Sequence, residues 1–370
     1  MAEVTREKPI KVGVVGGGFG RTHIMAYRAT PGVEVTAFCQ RTKARAEEIA
    51  REFGIPQVFT DYSEMLAQAG LDAVSLTTPT NVHLVMASEA FNHGVSVLCE
   101  KPLAMNQEEA AAMLKRAEEA HAIHMTAFNF RFIPAFYRLK QLMQEGYVGS
   151  RVLHVDASWF SERRADPNTP FGWRDEKKAV GFGAMGDIGV HLVDLVRWLA
   201  GDFKRVCSRQ AIFTKERSLG NGSGTREVTV EDCAVFIGEL TGGGLVSFVA
   251  NAAARGSAYQ EIRILGNQGA LRAIVNRSNP DWMIGELWGA QGDGDTEPLP
   301  IPEPLKEQLI PADQRRTARE AIFANLTRLF AHGIERAEQP SPSFRDGLEA
   351  QKVLDAVETS AQSGSWMTVD

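Results

Sequence analysis

Lys11-Val-Gly-Val-Val15-Gly16-Gly-Gly-Phe-Gly20 is the stretch on which the fold turns. Five residues with the apolar character of a buried strand run straight into a glycine turn, and a helical stretch follows from near Arg21 to just before Pro31-Gly32. Glycines let a backbone approach a pyrophosphate, and the N-terminus of the next helix offers free N–H groups at its positive end. A lone glycine-rich turn says little. Between the first strand and first helix of a βα series it becomes a dinucleotide-binding signal. Gly16, Gly18 and Gly20, with Phe19, are therefore the first candidate cofactor contacts. The usual G-x-G-x-x-G spacing is broken, because the third glycine comes one residue early and Arg21 stands in its place, which leaves the path of the loop open.

The next hundred residues repeat the unit. Glu34–Cys39 reads as a second strand and Ala44–Phe53 as a helix closed by Gly54. Asp61-x-x-Glu64 is a capping box that opens a short helix. Asp72–Thr78 is a strand, followed by a helix from Asn81 that stops at Gly94. Val95–Cys99 is the next strand, Asn106-x-x-Glu109 caps a helix to about His121, and His124–Asn129 closes the series. Such alternation with short connections predicts a parallel, doubly wound sheet with helices on both faces. Ligands bind outside the carboxyl ends of its strands. That rule adds Thr77, Thr78, Pro79, Asn81, His83, Glu100 and Lys101 to the cofactor group. The second strand ends at Cys39-Gln40-Arg41-Thr42, where an acid for the adenosine 2′-hydroxyl is usual. None is present; Gln40 can bond the ribose and Arg41 can pair with a 2′-phosphate, which favours NADP over NAD.

A second stretch carries proton chemistry. Gly181-Phe-Gly-Ala-Met-Gly-Asp187-Ile-Gly-Val-His191-Leu-Val-Asp194 reads as a flexible glycine segment entering an amphipathic helix. Steps of four and three put Asp187, His191 and Asp194 on one helical face. A histidine between two carboxylates suits proton transfer near neutral pH, whereas the plainer reading is a solvated polar face.

With these motifs in order, the chain resembles the glucose–fructose oxidoreductase / inositol dehydrogenase / MocA family. The resemblance rests on the glycine turn, on T-P-x-x-x-H at Thr78–His83 and on Glu100-Lys101-Pro102. It continues through Asn129-Phe-Arg131-Phe-x-Pro134, Gly146-x-x-Gly149 and the G-A-x-G-D-x-G-x-H-x-x-D stretch. It implies a Rossmann dinucleotide-binding domain over 1–130 and an α/β domain with a large, mostly antiparallel open sheet over 131–370. The last helix, about 344–362, is then expected near the first domain. The implied activity is hydride transfer between NAD or NADP and a secondary alcohol of a sugar, cyclitol or related polyol. The family's catalytic lysine, aspartate and histidine fall on Lys101, Asp187 and His191, which together with Asn129 and Arg131 would contact substrate. Trp173-Arg174 is similar to a pair bordering the nicotinamide, and the proline after the lysine is typically cis. His191 would take the hydroxyl proton, Lys101 would stabilise the charge on oxygen, and Asp187 would orient the imidazole; Asp194 has no assigned role. Two alternatives are a non-catalytic nucleotide-binding regulator of the same fold and a relative that cleaves glycosidic bonds through transient oxidation.

The remainder of the sequence fits this outline. A chain of 370 residues exceeds one ordinary core. A net charge of −6 gives no basic surface for nucleic acid. Arg163-Arg164 and Lys177-Lys178 read as solvated loop charges. Four scattered cysteines suit a reducing compartment, and no metal-ligand spacing is present. The polar N-terminus and the lack of an apolar run approaching a membrane span predict a cytoplasmic protein. Arg151–Trp159, Val206–Thr214, Cys233–Leu240, Leu245–Ala252 and the Ile262 hairpin read as strands. Residues 277–315, rich in Pro, Gly and Asp, read as a loop or arm. An open sheet face predicts a homodimer or homotetramer.

Overall fold

The computed structural model describes residues 8–370 except 221, 223, 257, 278, 280, 281, 312, 313 and 315–317. The chain divides into two compact units, Met1–Asn129 with Asp313–Leu348 and Phe130–Ala312 with Glu349–Asp370. In the first, β1 (Ile10–Val15), β2 (Val33–Cys39), β3 (Gln57–Phe59), β4 (Ala73–Leu76), β5 (Ser96–Cys99) and β6 (His124–Thr126) form one sheet. Its order is β3-β2-β1-β4-β5-β6 and every pairing is parallel. That order reverses direction between β1 and β4, the place where a doubly wound sheet opens a crevice for a dinucleotide. The connecting helices are α1 (Gly20–Arg28), α2 (Lys43–Phe53), α3 (Tyr62–Gln68), α4 (His83–Asn92) and α5 (Gln107–Glu119). Asp61 and Asn106 accept the N–H groups of Glu64 and Glu109, each at 2.9 Å, as the capping patterns predict.

The second unit opens with α6 (Pro134–Gln144) and β7 (Val152–Phe160), followed by the short α7 (Lys177–Val180). A π-helical turn, Met185–Gly189, leads directly into α8 (Val190–Ala200). Strands β8 (Phe203–Ala211), β9 (Glu216–Ser218), β10 (Thr225–Glu227), β11 (Cys233–Leu240), β12 (Leu245–Asn251), β13 (Tyr259–Gly266) and β14 (Gly269–Asn276) come next. Then come β15 (Glu286–Gln291), β16 (Glu297–Pro298) and α9 (Glu303–Leu309), with β17 (Met367–Thr368) at the end of the chain. Nine of these strands form a sheet of order β16-β15-β14-β13-β7-β12-β11-β8-β17, in which only β7 with β12 is parallel. Along β11, buried Phe236 alternates with exposed Val235 and Ile237; with Leu245 of β12 these leave one face of the sheet apolar and open.

Two expectations need correction here. The stretch 277–315 is more than an arm, since β15 and β16 extend the sheet and Leu287, Leu305, Leu309 and Ile310 are buried. Turn-forming residues dominate its composition, but they separate short apolar segments that find partners. Residues 278, 280, 281, 312, 313 and 315 of that stretch lie outside the described residues. The expectation that no apolar run nears membrane length is also too strong: Lys177–Ala200 qualifies by length and hydropathy. Its most apolar window is 89 % buried inside the protein, which accounts for the composition.

After α9 the chain returns to the first unit as α10 (Ala318–Arg336) and the start of α11 (Phe344–Ser363). Assigning everything after 131 to one domain missed this return. Ile322, Phe323, Leu326 and Phe330 of α10 are buried; Thr327 bonds Thr30, just after α1, at 2.7 Å and Phe323 lies 5.0 Å from the His23 ring. The first turn of α11 is tethered to β6, where Phe344 N–H donates to His124 Nδ1 at 3.1 Å. Beyond Leu348 the helix belongs to the second unit, where Ser208 of β8 bonds Val357 and Ser360.

That tether makes stability depend on pH. Burial pushes the His124 imidazole down to about 4, the Arg345 charge adds to this and Asp346 opposes it. The unfolded chain binds this proton near 6.5, so between 6.5 and 4 it holds more protons than the native state, and stability falls as pH falls through that window. The full difference is about 3 kcal/mol. His124→Asn keeps an acceptor for Phe344 and cannot titrate; urea unfolding at pH 7 and pH 4.5 is expected to show a shallower loss for the variant than for the wild type.

Candidate active site

The first group of predicted residues is held together by the backbone at the carboxyl ends of β1, β2, β4 and β5. Gly16 has φ +104°, and a Cβ there would meet Thr77 O and Oγ1 at 2.7 Å, so only glycine fits between the ends of β1 and β4. Thr77 Oγ1 donates to Val15 O (2.7 Å) and lies 3.1 Å from Gly16 O, which fixes the turn from the β4 side. Gly20 begins α1, and a Cβ on it would press on Thr77 Oγ1 at 3.3 Å and Val14 Cγ1 at 3.4 Å. It thus does the work of the third glycine, close packing of helix on strand, one residue early. Arg21 points away and pairs with Glu52, its guanidinium 5.8 Å from the Phe53 ring. Gly18 faces open space, and Phe19 lies against Phe323, ring centres 6.4 Å apart.

The residues present fit a dinucleotide. The glycine turn leaves the first N–H groups of α1 without partners in their own helix. Gln40 Oε1 is buried without a hydrogen-bond partner, and it sits where a Cβ on Gly17 would touch it at 2.5 Å. A buried orphan acceptor beside a glycine turn is suited to a ribose hydroxyl. Arg41 is exposed.

Past β4, Thr78, Pro79 and Asn81 form the turn into α4, and the structure gives His83 a supporting task. It is 1 % exposed; Nε2 lies 3.0 Å from Thr78 O, and Nδ1 lies 3.2 Å from Pro102 O and 3.1 Å from Leu103 O. Burial lowers its pKa, against the raising effect of those carbonyls and of Glu100. It spans two strand ends as a strut, with both ring nitrogens turned to backbone oxygens. Glu100 likewise turns inward: it is 8 % exposed, and Oε2 accepts the Lys101 N–H at 3.1 Å. Burial would raise its carboxyl, but the hydrogen bond and charge of His23 and the charge and N–H of Lys101 outweigh this and hold it low. The Lys101–Pro102 bond is cis. Asn129, 3 % exposed, starts a 3-10 turn.

In the second unit the glycine segment proves to be a fitted one. A Cβ on Gly183 would lie 2.0 Å from Glu231 O. The same Glu231 accepts N–H bonds from Gly183 (2.9 Å to each carboxylate oxygen) and Met185 (2.9 Å), capping the helix that follows. Burial raises the Glu231 carboxyl, and those two N–H groups pull against it. The cap starts the π-helical turn, where Asp187 sits; π turns are frequent at functional sites. His191 follows on α8, 5 % exposed, its ring stacked on Phe130 at 4.2 Å and 14° and 6.0 Å from the Trp159 ring. Asp187 is paired with Arg163, Nη1 to Oδ2 at 3.0 Å.

Asp194 parts from this group. It is 1 % exposed and accepts from Arg131 Nε (2.8 Å) and Nη2 (2.5 Å). Arg131 is 4 % exposed, and its pair with Asp194 joins the start of the unit to α8. Trp173, 42 % exposed, has Arg174 stacked over it at 4.2 Å. The loop beneath them is fixed by Arg164, which bonds Asp232 (2.7 Å) and Asp175 (2.9 Å) and is 8 % exposed. Arg163 and Arg164 are therefore structural and site residues, and Lys177 pairs with Glu358. The reading as solvated charges fits exposed Arg163, Lys177 and Lys178 and fails for Arg164, whose partners, distant in sequence, are invisible to a local pattern. Phe130, beside the His191 ring, was not singled out from the sequence; it lies inside the N-F-R-F motif, which was the available signal. No cluster that can hold a metal ion occurs among the described residues.

Comparison with known proteins agrees with this fold. Residues 10–128 match a family model described as "Oxidoreductase family, NAD-binding Rossmann fold", and residues 136–272 match the "GFO/IDH/MocA C-terminal domain". The chain is similar to levoglucosan dehydrogenase of Pseudarthrobacter phenanthrenivorans, at 30 % identity over 97 % of this chain and 98 % of that protein. It is also similar to D-apiose dehydrogenase of Paraburkholderia graminis, at 26 % identity over 98 % of this chain and 90 % of that one. Among solved structures, levoglucosan dehydrogenase in complex with NADH and L-sorbose superposes with a TM-score of 0.89 at 30 % identity, covering 98 % of this chain and 99 % of that one.

Proposed function

The chain belongs to the Gfo/Idh/MocA oxidoreductase family, with its NAD-binding Rossmann fold, and on that premise we propose that it oxidises a secondary alcohol of a neutral sugar, cyclitol or related polyol. It is a nicotinamide-dependent dehydrogenase. The observation that carries the proposal is that His191 stands one turn after Asp187 on a capped helix, in a chain similar along its length to dehydrogenases named for sugars.

Bound nicotinamide supplies the hydride acceptor or donor, with Gly16, Gly18, Gly20 and Gln40 placed to hold the dinucleotide. His191 takes the hydroxyl proton, a role for which an imidazole side chain is well suited. Phe130 holds the ring in plane by stacking, so the proton is taken along a fixed direction. Lys101 hydrogen-bonds the same oxygen and stabilises the negative charge that develops there. Asp187 favours the protonated imidazole by its charge, and Arg163 shares that charge and so tempers it. Trp173 offers an exposed apolar surface to the C–H face of a sugar ring.

The test is a panel of inositols, aldoses, anhydrosugars and sugar acids with NAD and with NADP. Formation of reduced nicotinamide with a neutral sugar supports the reading; exposed Arg41 favours NADP, and NADH in the solved relative favours NAD. The open face bearing Val235, Ile237 and Leu245 supports a homo-oligomer, and light scattering is expected to give a mass of at least two chains; a single-chain mass contradicts that part.

A further inference from the structure

His23 and Glu100 form a buried pair for which the reaction scheme has no use. His23 lies on α1 and is 0 % exposed; its Nε2 is 3.0 Å from Glu100 Oε1 and its Nδ1 is 2.7 Å from Ser75 Oγ. Tyr27, also on α1, reaches the same Ser75 hydroxyl at 3.3 Å. The other oxygen of Glu100 takes the backbone N–H of Lys101. Burying a carboxylate and an imidazole is costly, and an apolar pair of similar volume serves a core at least as well. What the polar pair adds is direction. One carboxylate is gripped on one side by the helix behind the glycine turn and on the other by the peptide from which the Lys101 side chain leaves β5.

We propose that His23 is a positioning residue for Lys101: through Glu100 it fixes the backbone that aims the lysine at the reacting oxygen. The inference rests on the reading of Lys101 as the group that acts on that oxygen, and it deepens it. A misplacement of a reacting group by about 1 Å can cost about 100-fold in rate, so a positioning role shows in kcat. A role confined to stability does not.

Asparagine places an amide near the position of Nδ1, and glutamine places one near Nε2. His23→Asn therefore keeps the Ser75 contact and loses Glu100, whereas His23→Gln keeps a donor to Glu100. With levoglucosan and NAD, or the panel sugar that the wild type turns over fastest, kcat of His23→Asn is expected to fall about 10- to 100-fold with NADH affinity within about twofold. His23→Gln is expected to recover to within about threefold. In a Lys101→Ala background the same His23→Asn change costs less than about twofold, because there is nothing left to position. In the ligand-free protein, the ¹³Cε resonance assigned to Lys101 by its loss in Lys101→Ala shifts in His23→Asn and returns in His23→Gln. Where His23→Asn does not fold, Glu100→Gln takes its place in the same cycle with the same expectation. A folded His23→Asn with wild-type kcat, or a loss undiminished in the Lys101→Ala background, overturns the inference alone. Wild-type kcat in Lys101→Ala itself overturns the reading of Lys101 and the inference with it.

Discussion

Replacing His191 with alanine is expected to lower kcat by about 10²- to 10⁴-fold, the range that a positioned general base contributes, while NADH affinity stays within about twofold. The imidazole lies flat on Phe130 and is nearly buried, so it is held for one direction of approach rather than left to sample many. The proposed dinucleotide contacts, Gly16, Gly18, Gly20 and Gln40, are on strand-end turns far from His191 in sequence, so cofactor binding and turnover should separate. His191→Asn, closer in shape, controls for the hole left beside Phe130 and should be as slow. Asp187→Asn should cost less, because Arg163 already neutralises part of that carboxylate in the native protein. Equal turnover in His191→Ala and the wild type would remove His191 as the base.

Gly183→Ala is expected to be severely damaging, with a loss of stability of about 3 kcal/mol or more, or failure to accumulate as folded protein. A Cβ there would sit 2.0 Å from the backbone oxygen of Glu231, a distance no side-chain rearrangement can relieve. The segment before β11 that carries Glu231 would have to retreat, and the carboxylate that caps the π-helical turn would go with it. Gly242→Ala is the control, because a Cβ at Gly242 meets nothing within 4 Å. Surface changes of that kind are usually within about 0.5 kcal/mol. Urea unfolding of the two variants separates close packing from the loss of glycine as such.

The contrast at Gly183 also marks where sequence reading stops. The βα alternation was legible because each strand and helix carries its own periodicity and punctuation, and a parallel doubly wound sheet follows from their order. β3 shows the limit, since three half-buried residues at a sheet edge have no pattern to detect. The strand ends were legible as a group, yet the sequence could not separate residues that face a ligand from those that brace them. His83 reaches the carbonyls of Pro102 and Leu103, 19 and 20 residues on, and Glu100 reaches His23, 77 residues back. The glycines before the catalytic helix read as flexibility, because close approach to Glu231, 48 residues on, leaves no local trace. The same holds for Arg131 with Asp194 and Arg164 with Asp232, 63 and 68 residues apart. Asp194, undecided from its spacing alone, gains a role only through that buried pair. The return of α10 to the first unit is likewise a matter of partners: its apolar face is plain in the sequence, and what it packs against is not.

The central claim is that His191 removes a proton from a polyol hydroxyl as hydride leaves the same carbon. It is tested most directly by incubating wild-type and His191→Ala proteins side by side with the sugar and polyol panel, with NAD and with NADP, and following reduced nicotinamide. The account predicts net reduction by the wild type with a neutral sugar or cyclitol and almost none by the variant. Equal reduction by both proteins, or release of a cleaved glycoside without net reduction, would contradict it.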